Sequence, residues 1–345
     1  MICDNQMALL GNPTGSLEDL RTEWEYLWRT SDCAPFQHPC WLIGWWNAFS
    51  FPDQKPLTII MRGGDGKLEG LAPMFIWRRD DSKRQLSFIG TGISDYCGII
   101  SAEDKKNLFA REFINFISSS ASELWDVCLL EDIQSGSPLL TAVAQTPLLN
   151  ARRGAACPRV CLPDSFEKYM AGLAGLKRER LERSQKKLVR LGMQIERVSG
   201  PEDAPRALEI FISLHEKSWR RRGQEGVINT NALKGFYRAV STELAEAGIL
   251  RIYLMSIPSG GNKNYIAALY SMFHQGRAYC YLGGFDPQFE KLSAGSLIVM
   301  HAIKEAIESG ISEFDFLRGA EPHKYTWGAS DSFNWNISGH AGGGN

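Results

Sequence analysis

Four charged residues near the C-terminal end of the sequence form the cluster whose residue types most directly suggest chemistry. Asp315 lies between two phenylalanines, and Arg318, Glu321 and Lys324 follow it closely, so that all four are candidates for catalysis. A carboxylate in such a cluster can accept a proton, and a cation can stabilise a developing oxyanion. Because a buried carboxylate without a partner is costly, we expect Asp315 to pair with Arg318 and brace its strand. Glu321 and Lys324 follow Gly319 in a predicted loop, and for them we expect a functional role.

Main-chain groups at two neighbouring points of the sequence could bind a ligand. A predicted strand ends in a pair of glycines, which leave the main chain open to a ligand. A loop then precedes an apolar helix, and amide protons at a helix start attract phosphate oxygens. The candidate residues are Leu282, Gly283, Gly284 and Phe285 at the strand end, and Ser293, Ala294, Gly295 and Ser296 at the helix start. Ser293 can equally be a plain N-cap.

Other polar residues have both a structural and a functional interpretation. His215 falls on the apolar stripe of a predicted helix, where a histidine is either a packing residue or a candidate general base. Asp286 follows the glycine pair and precedes a proline, so it either caps a turn or contacts a substrate. Residues 176–192 include seven basic and two acidic side chains. We expect this segment to be a solvated helix face, with contact to a phosphate-bearing substrate as the alternative.

The composition is that of an ordinary globular protein with two domains. At 345 residues the chain exceeds the size at which one hydrophobic core keeps growing. Its 38 basic and 39 acidic side chains nearly cancel, so no overall field favours nucleic acid or an anionic membrane. The eight cysteines form no CxxC pair, which predicts reduced thiols without a zinc site. The sequence has neither a leader-like start nor a long apolar run, and we therefore expect a cytoplasmic protein without a membrane span.

The order of predicted elements repeats once along the chain. In both halves two helices precede an antiparallel meander of strands, and a further helix and a short strand follow it. This repeat predicts a mixed α+β fold of two tandem domains, each a mostly antiparallel sheet flanked by helices. We place the first domain at residues 1–157 and the second at 158–330, with a flexible, glycine-rich tail at 331–345. Two unrelated α+β domains are the alternative.

A long stretch of the second half resembles a known family. Residues 279–324 contain the pattern GFDP...KLSAGSL...H.I..A...G...FDFLRG.E..K, which is similar to the C-terminal half of the CelD-like acetyltransferases of the GNAT superfamily. The Fem-like proteins have an approximate counterpart of this pattern. In the first half, residues 36–49, 70–75 and 89–100 are similar to the same family, although more weakly.

The resemblance implies a GNAT-type acyltransferase, which moves an acyl group from acyl-CoA to an amine by direct attack and needs no metal. In that family the strand that carries Gly283 separates from the next strand, and the gap holds the pantetheine arm of the donor. The C-terminal domain would bind the donor, which is acetyl-CoA or a longer acyl-CoA. The N-terminal domain would bind the acceptor, an amine-bearing small molecule, sugar or peptide. The residues expected to contact this acceptor are Asp95, Tyr96, Trp219 and Asp286.

Two alternatives to this function stay open. The usual GNAT pyrophosphate loop has a basic residue or Gln followed by two glycines, whereas this sequence has only Gly295. Fem-like proteins use aminoacyl-tRNA, so one alternative is an aminoacyl-tRNA-dependent peptidyltransferase, which the near-neutral charge disfavours. The other is a non-catalytic GNAT-fold subunit in polysaccharide or envelope biogenesis. The sequence has no GxSxG, Walker, HExxH or Rossmann motif, which disfavours hydrolases, nucleotidases and dehydrogenases.

Overall fold

A computed structural model describes residues 6–10, 16–52, 54–119 and 121–341 of the chain. The chain divides into two compact units, Met1–Ala156 with Phe333–Asn345 and Cys157–Ser332. In each unit two helices precede an antiparallel meander, and a further helix and a strand follow it. The predicted order of elements and the mixed α and β fold class are therefore confirmed.

The first unit is a mixed sheet with four helices in its described part. Its elements are β1 (Gln6–Leu10), α1 (Arg21–Thr30), α2 (Pro39–Phe49), β2 (Lys55–Arg62), β3 (Leu68–Arg78), β4 (Arg84–Phe88), β5 (Ile100–Ser101), α3 (Lys106–Ser118), β6 (Val127–Gln134), α4 (Leu139–Val143), the start of β7 (Leu149–Cys161) and most of β13 (Ser330–His340). Strands β1 to β4 are antiparallel neighbours, β6 lies parallel to β4, and β13 is antiparallel to β6. The core contains aromatic side chains such as Phe88, Phe109, Phe113 and Trp125.

The second unit repeats this pattern. Its elements are the end of β7, then α5 (Phe166–Gly172), α6 (Gly175–Arg190), β8 (Gln194–Val198), α7 (Ala204–Arg220), α8 (Asn231–Glu246), β9 (Leu250–Ser259), β10 (Asn262–His274), β11 (Arg277–Phe285), α9 (Ala294–Glu308), β12 (Glu313–Asp315) and α10 (Pro322–Tyr325). Strands β8 to β11 are antiparallel neighbours, β12 lies parallel to β11, and β7 is antiparallel to β12. The same strand directions in both sheets support a tandem duplication.

The turns of the second meander form at glycine-containing positions of the sequence. Gly260 and Gly261 join β9 to β10 with φ of 55° and 82°. Gln275 and Gly276 join β10 to β11 with φ of 46° and 74°. Two successive positive φ angles give a hairpin turn whose twist matches that of the flanking strands, and glycine adopts them without steric cost.

Helices α7 and α9 cover opposite faces of the second sheet. Leu269 of β10 belongs to the same core cluster as Leu297 of α9. The next residue, Tyr270, packs instead against Phe211 of α7, with ring centroids 5.8 Å apart. Because successive strand residues point to opposite faces, the sheet lies between the two helices.

The C-terminal segment is a strand and not the predicted flexible tail. Strand β13 pairs with β6, and its Asn334 and Ile337 are buried. The prediction for residues 331–345 is therefore wrong as far as His340, because the pairing partner lies much earlier in the sequence and local composition could not indicate it. Residues 342–345 lie outside the described part of the chain.

Candidate functional site

A gap opens between β11 and β12 in the second unit. Only Arg277, Ala278 and Tyr279 of β11 pair with β12, which ends at Asp315. From Cys280 to Phe285, β11 continues beside β10 alone among the described strands. The edge of β11 that faces away from β10 is therefore open over this length.

The hydrogen-bond pattern shows which main-chain groups of β11 face the gap. The Asp286 amide donates to the Ile266 carbonyl oxygen at 2.9 Å, on the β10 side. In an antiparallel pair the direction of these groups alternates from residue to residue, so the amide and carbonyl of Gly283 face away from β10. The Gly283 carbonyl oxygen accepts a hydrogen bond from the His215 ring at Nδ1, at 2.8 Å. The Gly283 amide proton remains available to a ligand in the gap.

The two glycines at the end of β11 have different reasons to be glycine. A Cβ at Gly284 would lie 2.4 Å from the main-chain nitrogen of His215, because α7 crosses β11 at this point. A Cβ at Gly283 would meet its nearest atom, Cδ1 of Leu269, only at 3.9 Å. Gly284 is thus required by helix packing, whereas Gly283 keeps the gap free of side-chain atoms.

A β-bulge in the part of β11 that borders the gap contains a tyrosine that the sequence analysis missed, and its side chain reaches α8. The partner of Tyr270 is Leu282 and the partner of Ser271 is Cys280, so Tyr281 is the extra residue. Its half-buried hydroxyl lies 2.7 Å from that of Tyr237 on α8. Bulges commonly re-aim a side chain next to an active site. The bulge depends on how β10 and β11 pair, and no local motif signals it.

The start of α9 lies next to the end of β11 and lacks a side-chain cap. Ser293 adopts the left-handed conformation, with φ of 54°, and its hydroxyl does not cap the helix. That hydroxyl accepts instead from Nε of Arg180 on α6, at 3.0 Å. A Cβ at Gly295 would lie 3.4 Å from Cδ1 of Phe285, which brings the strand end and the helix start together. Ser293 therefore occupies the N-cap position without a side-chain cap; its carbonyl oxygen accepts from the Ser296 amide at 2.9 Å, and the amide protons of Ala294 and Gly295 are left for a ligand.

Asp315 has the geometry of a structural residue. Its side chain is fully buried and lies 3.1 Å from Nε of Arg159 on β7. Its other carboxylate oxygen accepts from the Leu317 amide at 2.7 Å. We expected Asp315 to pair with Arg318, which is near it in sequence. The structure shows an ion pair with Arg159 on the neighbouring strand β7, which is distant in sequence.

Lys324 also points inward, in contrast to the functional role expected for it. Its buried ammonium group donates to the carbonyl oxygens of Leu317, Arg318 and Gly319 at 2.8–3.1 Å. Glu321 lies 2.9 Å from the same ammonium group. Partial burial acts to raise the pKa of Glu321, but the hydrogen bond from Lys324, a main-chain hydrogen bond and the nearby positive charges together outweigh it, and the pKa is lowered. These contacts indicate that Lys324 and Glu321 both stabilise the loop. The lowered pKa also makes Glu321 a weaker base.

His215 is held as a neutral ring beside the gap. A carbonyl oxygen can only accept, so Nδ1 carries the proton in the bond to Gly283. Nε2 is buried without a hydrogen-bond partner in the described part of the chain, between Trp219 and Gly226. Burial lowers the pKa of His215, which favours the uncharged form. Its position supports orientation of the Gly283 carbonyl, and the residue is only 1% exposed to solvent.

The remaining expected contacts have local structural partners. Asp286 caps the turn that follows it by accepting from the Gln288 amide at 3.0 Å, and it forms an ion pair with Lys217. Asp95 and Tyr96 lie in the first unit, where Tyr96 is buried in the core and the Asp95 carbonyl accepts from Asn334. Trp219 is half-buried on α7 beside His215.

At the equivalent position in its own sheet, the first unit has no such gap. Strands β4 and β6 pair in parallel at Gln85–Val127 and Leu86–Cys128. The chain after β4 then returns to β6, where the Cys97 amide donates to the Asp132 carbonyl at 2.9 Å and Cys97 bridges to Ile133. The first unit therefore has no equivalent open edge at this point.

Neutralising Lys186, Lys187 and Arg190 together is expected to change the free energy of unfolding by less than about 1 kcal/mol. All three are exposed on α6, whose Leu181 and Leu188 form the buried side. Thermal unfolding of the triple variant measures this effect. A salt-dependent loss of ligand binding in the same variant would instead show that this face contacts a polyanion.

Comparisons with known proteins agree with this architecture. A family model described as an acetyltransferase (GNAT) domain matches residues 176–325, which include the gap and the start of α9. No curated protein matches by sequence. No helix in the described residues is both long and apolar enough for a membrane crossing.

Solved structures share the fold over nearly the whole chain. The crystal structure of FemX has a TM-score of 0.69 at 12% identity and covers 96% of both chains. L-PGS from Bacillus licheniformis has a TM-score of 0.58 at 11% identity, with 97% of this chain and 95% of that chain covered. A tandem GNAT protein from the clavulanic acid biosynthesis pathway has a TM-score of 0.51 at 12% identity, with 99% and 100% covered. The match to the acetyltransferase (GNAT) domain thus lies within the second unit, and the fold of both units together is shared with these tandem structures.

Proposed function

We propose that this chain is an N-acyltransferase that takes its acyl group from acyl-CoA and binds this donor in the second unit. The observation that carries the proposal is the open edge of β11 over Cys280–Phe285, which leads to the uncapped start of α9. A pantetheine arm can lie along such an edge as an added strand would, and its phosphates can meet the first amide protons of the helix. Because the equivalent edge in the first unit is closed, we assign binding of the acceptor to the first unit.

The chemistry is a direct attack of a neutral amine on the thioester carbonyl. The carbon–nitrogen bond forms, the carbon–sulfur bond breaks, the nitrogen loses one proton to solvent water, and CoA leaves as a thiol after the thiolate gains a proton. Tyr281 is the proton donor that we assign, because its hydroxyl lies on the bulge of β11 and Tyr237 can restore its proton across 2.7 Å. His215 contributes by fixing the Gly283 carbonyl, which orients the peptide group that the donor meets.

A non-catalytic role fits this geometry less well. A scaffold subunit would have no reason to keep the edge beside Gly283 clear, and Gly283 is exposed. An aminoacyl-tRNA donor is a second candidate, favoured by the seven basic side chains of α6. The two donors can be distinguished because a ligand that binds the native state raises the free energy of unfolding, by about 2.7 kcal/mol at 100 times its Kd, and with it the melting temperature. Acyl-CoA of several chain lengths and charged tRNA are the ligands to compare.

Tyr281→Phe is expected to lower the single-turnover rate by about 100-fold while leaving the Kd of acyl-CoA unchanged. Tyr237→Phe should give a smaller loss, because it removes only the second hydroxyl. Tyr265→Phe is the matched control, since its hydroxyl contacts Arg206 at the start of α7. An unchanged rate in Tyr281→Phe would remove this residue from the mechanism, and absence of any acyl-CoA binding by the wild-type protein would overturn the proposed donor.

A further inference from the structure

Arg180 of α6 contacts the start of α9, Lys177 lies on the same helix, and neither has an acidic partner in the described part of the chain. Arg180 uses Nε to donate to the Ser293 hydroxyl, which leaves its two terminal nitrogens for another acceptor. Lys177 lies one helical turn earlier, and its ammonium nitrogen is 4.0 Å from the centre of the Trp327 ring. Neither residue forms an ion pair with a carboxylate in the described part of the chain.

This arrangement is unfavourable for the free protein. Like charges one turn apart destabilise a helix. Burial, together with the charge of Arg180, lowers the pKa of Lys177 to about 8. The cost is offset when an anion lies between the two side chains, because both then gain a charge-assisted hydrogen bond.

Arg180 also supplies a basic residue to the α9 loop, which departs from the usual GNAT pattern of a basic residue or Gln followed by two glycines. The loop itself presents Ser293, Ala294 and Gly295 before the apolar part of the helix. Arg180 reaches this loop from α6, 113 residues earlier in the sequence. The Ser293 hydroxyl holds the guanidinium plane, and a fixed planar fork is suited to two oxygens of one phosphate.

We propose that Arg180 and Lys177 of α6 bind the diphosphate of the donor together with the start of α9. This assignment rests on the proposed acyl-CoA donor and names the residues that select a phosphate-bearing donor. Specificity for phosphate then comes from a helix that precedes the repeated pattern of two helices, meander, helix and strand, since α6 comes before β8 and α7 in the second unit.

The test compares CoA with pantetheine, which lacks the phosphates. Arg180→Ala should raise the Kd of CoA by about 10- to 100-fold, the range expected for a charge-assisted hydrogen bond, and leave the Kd of pantetheine unchanged. Lys177→Ala should act in the same direction with a smaller effect. Arg178→Ala is the control on the same helix, because its guanidinium donates to the Ala171 carbonyl. Its CoA affinity should equal that of the wild type.

Proton uptake gives a second measurement that is independent of affinity. At pH 8 about half of Lys177 is uncharged before binding, and a bound diphosphate favours the charged form. Arg180 on the same helix and His323 on α10 are the charged or titratable groups that act on Lys177. Calorimetry in buffers of different ionisation enthalpy should show protons taken up with CoA by the wild type, and less uptake by Lys177→Ala.

The outcomes separate this assignment from the proposed function. If the wild type binds CoA and Arg180→Ala binds it equally well, the assignment is wrong and the proposed donor stands. An equal loss for CoA and pantetheine would show that Arg180 only supports the loop. If the wild type binds neither ligand, the proposed donor fails and the assignment fails with it.

Discussion

Glutamate in place of Gly295 is expected to raise the Kd of acyl-CoA by at least about 100-fold without unfolding the protein. The new carboxylate would lie at the start of α9, where the phosphates of the donor are proposed to bind, and like charges in contact cost several kcal/mol. The fold should tolerate the change, because a Cβ at this position lies at an ordinary contact distance of 3.4 Å from Phe285. A negative charge in the first turn even stabilises a helix.

Calorimetry and thermal unfolding together decide this prediction. Gly235→Glu on α8 is the matched control, because it makes the same change on a helix where a Cβ meets no atom within 4 Å. The control should keep both its melting temperature and its acyl-CoA affinity. Unchanged affinity in Gly295→Glu would show that the donor phosphates do not bind at the start of α9.

Features that depend on a few consecutive residues could be predicted from the sequence. The glycine turns of the second meander follow from the need for positive φ, and the apolar stripe of α7 follows from helical spacing. The glycine pair indicated an approachable strand end, although only the structure separates the packing role of Gly284 from the open position of Gly283.

Features that depend on pairing between distant segments could not be predicted. The partner of Asp315 is Arg159, and the partner of Ser293 is Arg180, each more than a hundred residues away in sequence. The inward direction of Lys324 depends on the turn at Leu317–Gly319, where two residues adopt positive φ and aim their carbonyls at one point. The prediction of a flexible tail at residues 331–345 was wrong for the same reason, since β13 is stabilised by its pairing with β6 and not by its own composition.

Asp315→Ala is expected to lower the free energy of unfolding by about 3–5 kcal/mol. The substitution removes the carboxylate from a fully buried site, takes the ion pair at 3.1 Å from the largely buried Arg159, and deprives the Leu317 amide of its acceptor. Asp164→Ala is the control, because its ion pair with Lys168 is exposed and should contribute little. Chemical denaturation of both variants measures the difference.

The same measurements on Lys324→Ala and Glu321→Ala separate a structural from a functional role for the loop. The Lys324 ammonium group satisfies three main-chain carbonyls in a buried site, so its removal should lower the melting temperature. Glu321→Ala should have a small effect on stability, because about half of its side chain is exposed. If Lys324→Ala instead kept its melting temperature and lost about 100-fold in single-turnover rate, the ammonium group would act on the substrate or the developing oxyanion. A Lys324→Ala variant that is destabilised, yet turns over at the wild-type rate below its melting temperature, would establish that Lys324 holds the loop and takes no part in the reaction.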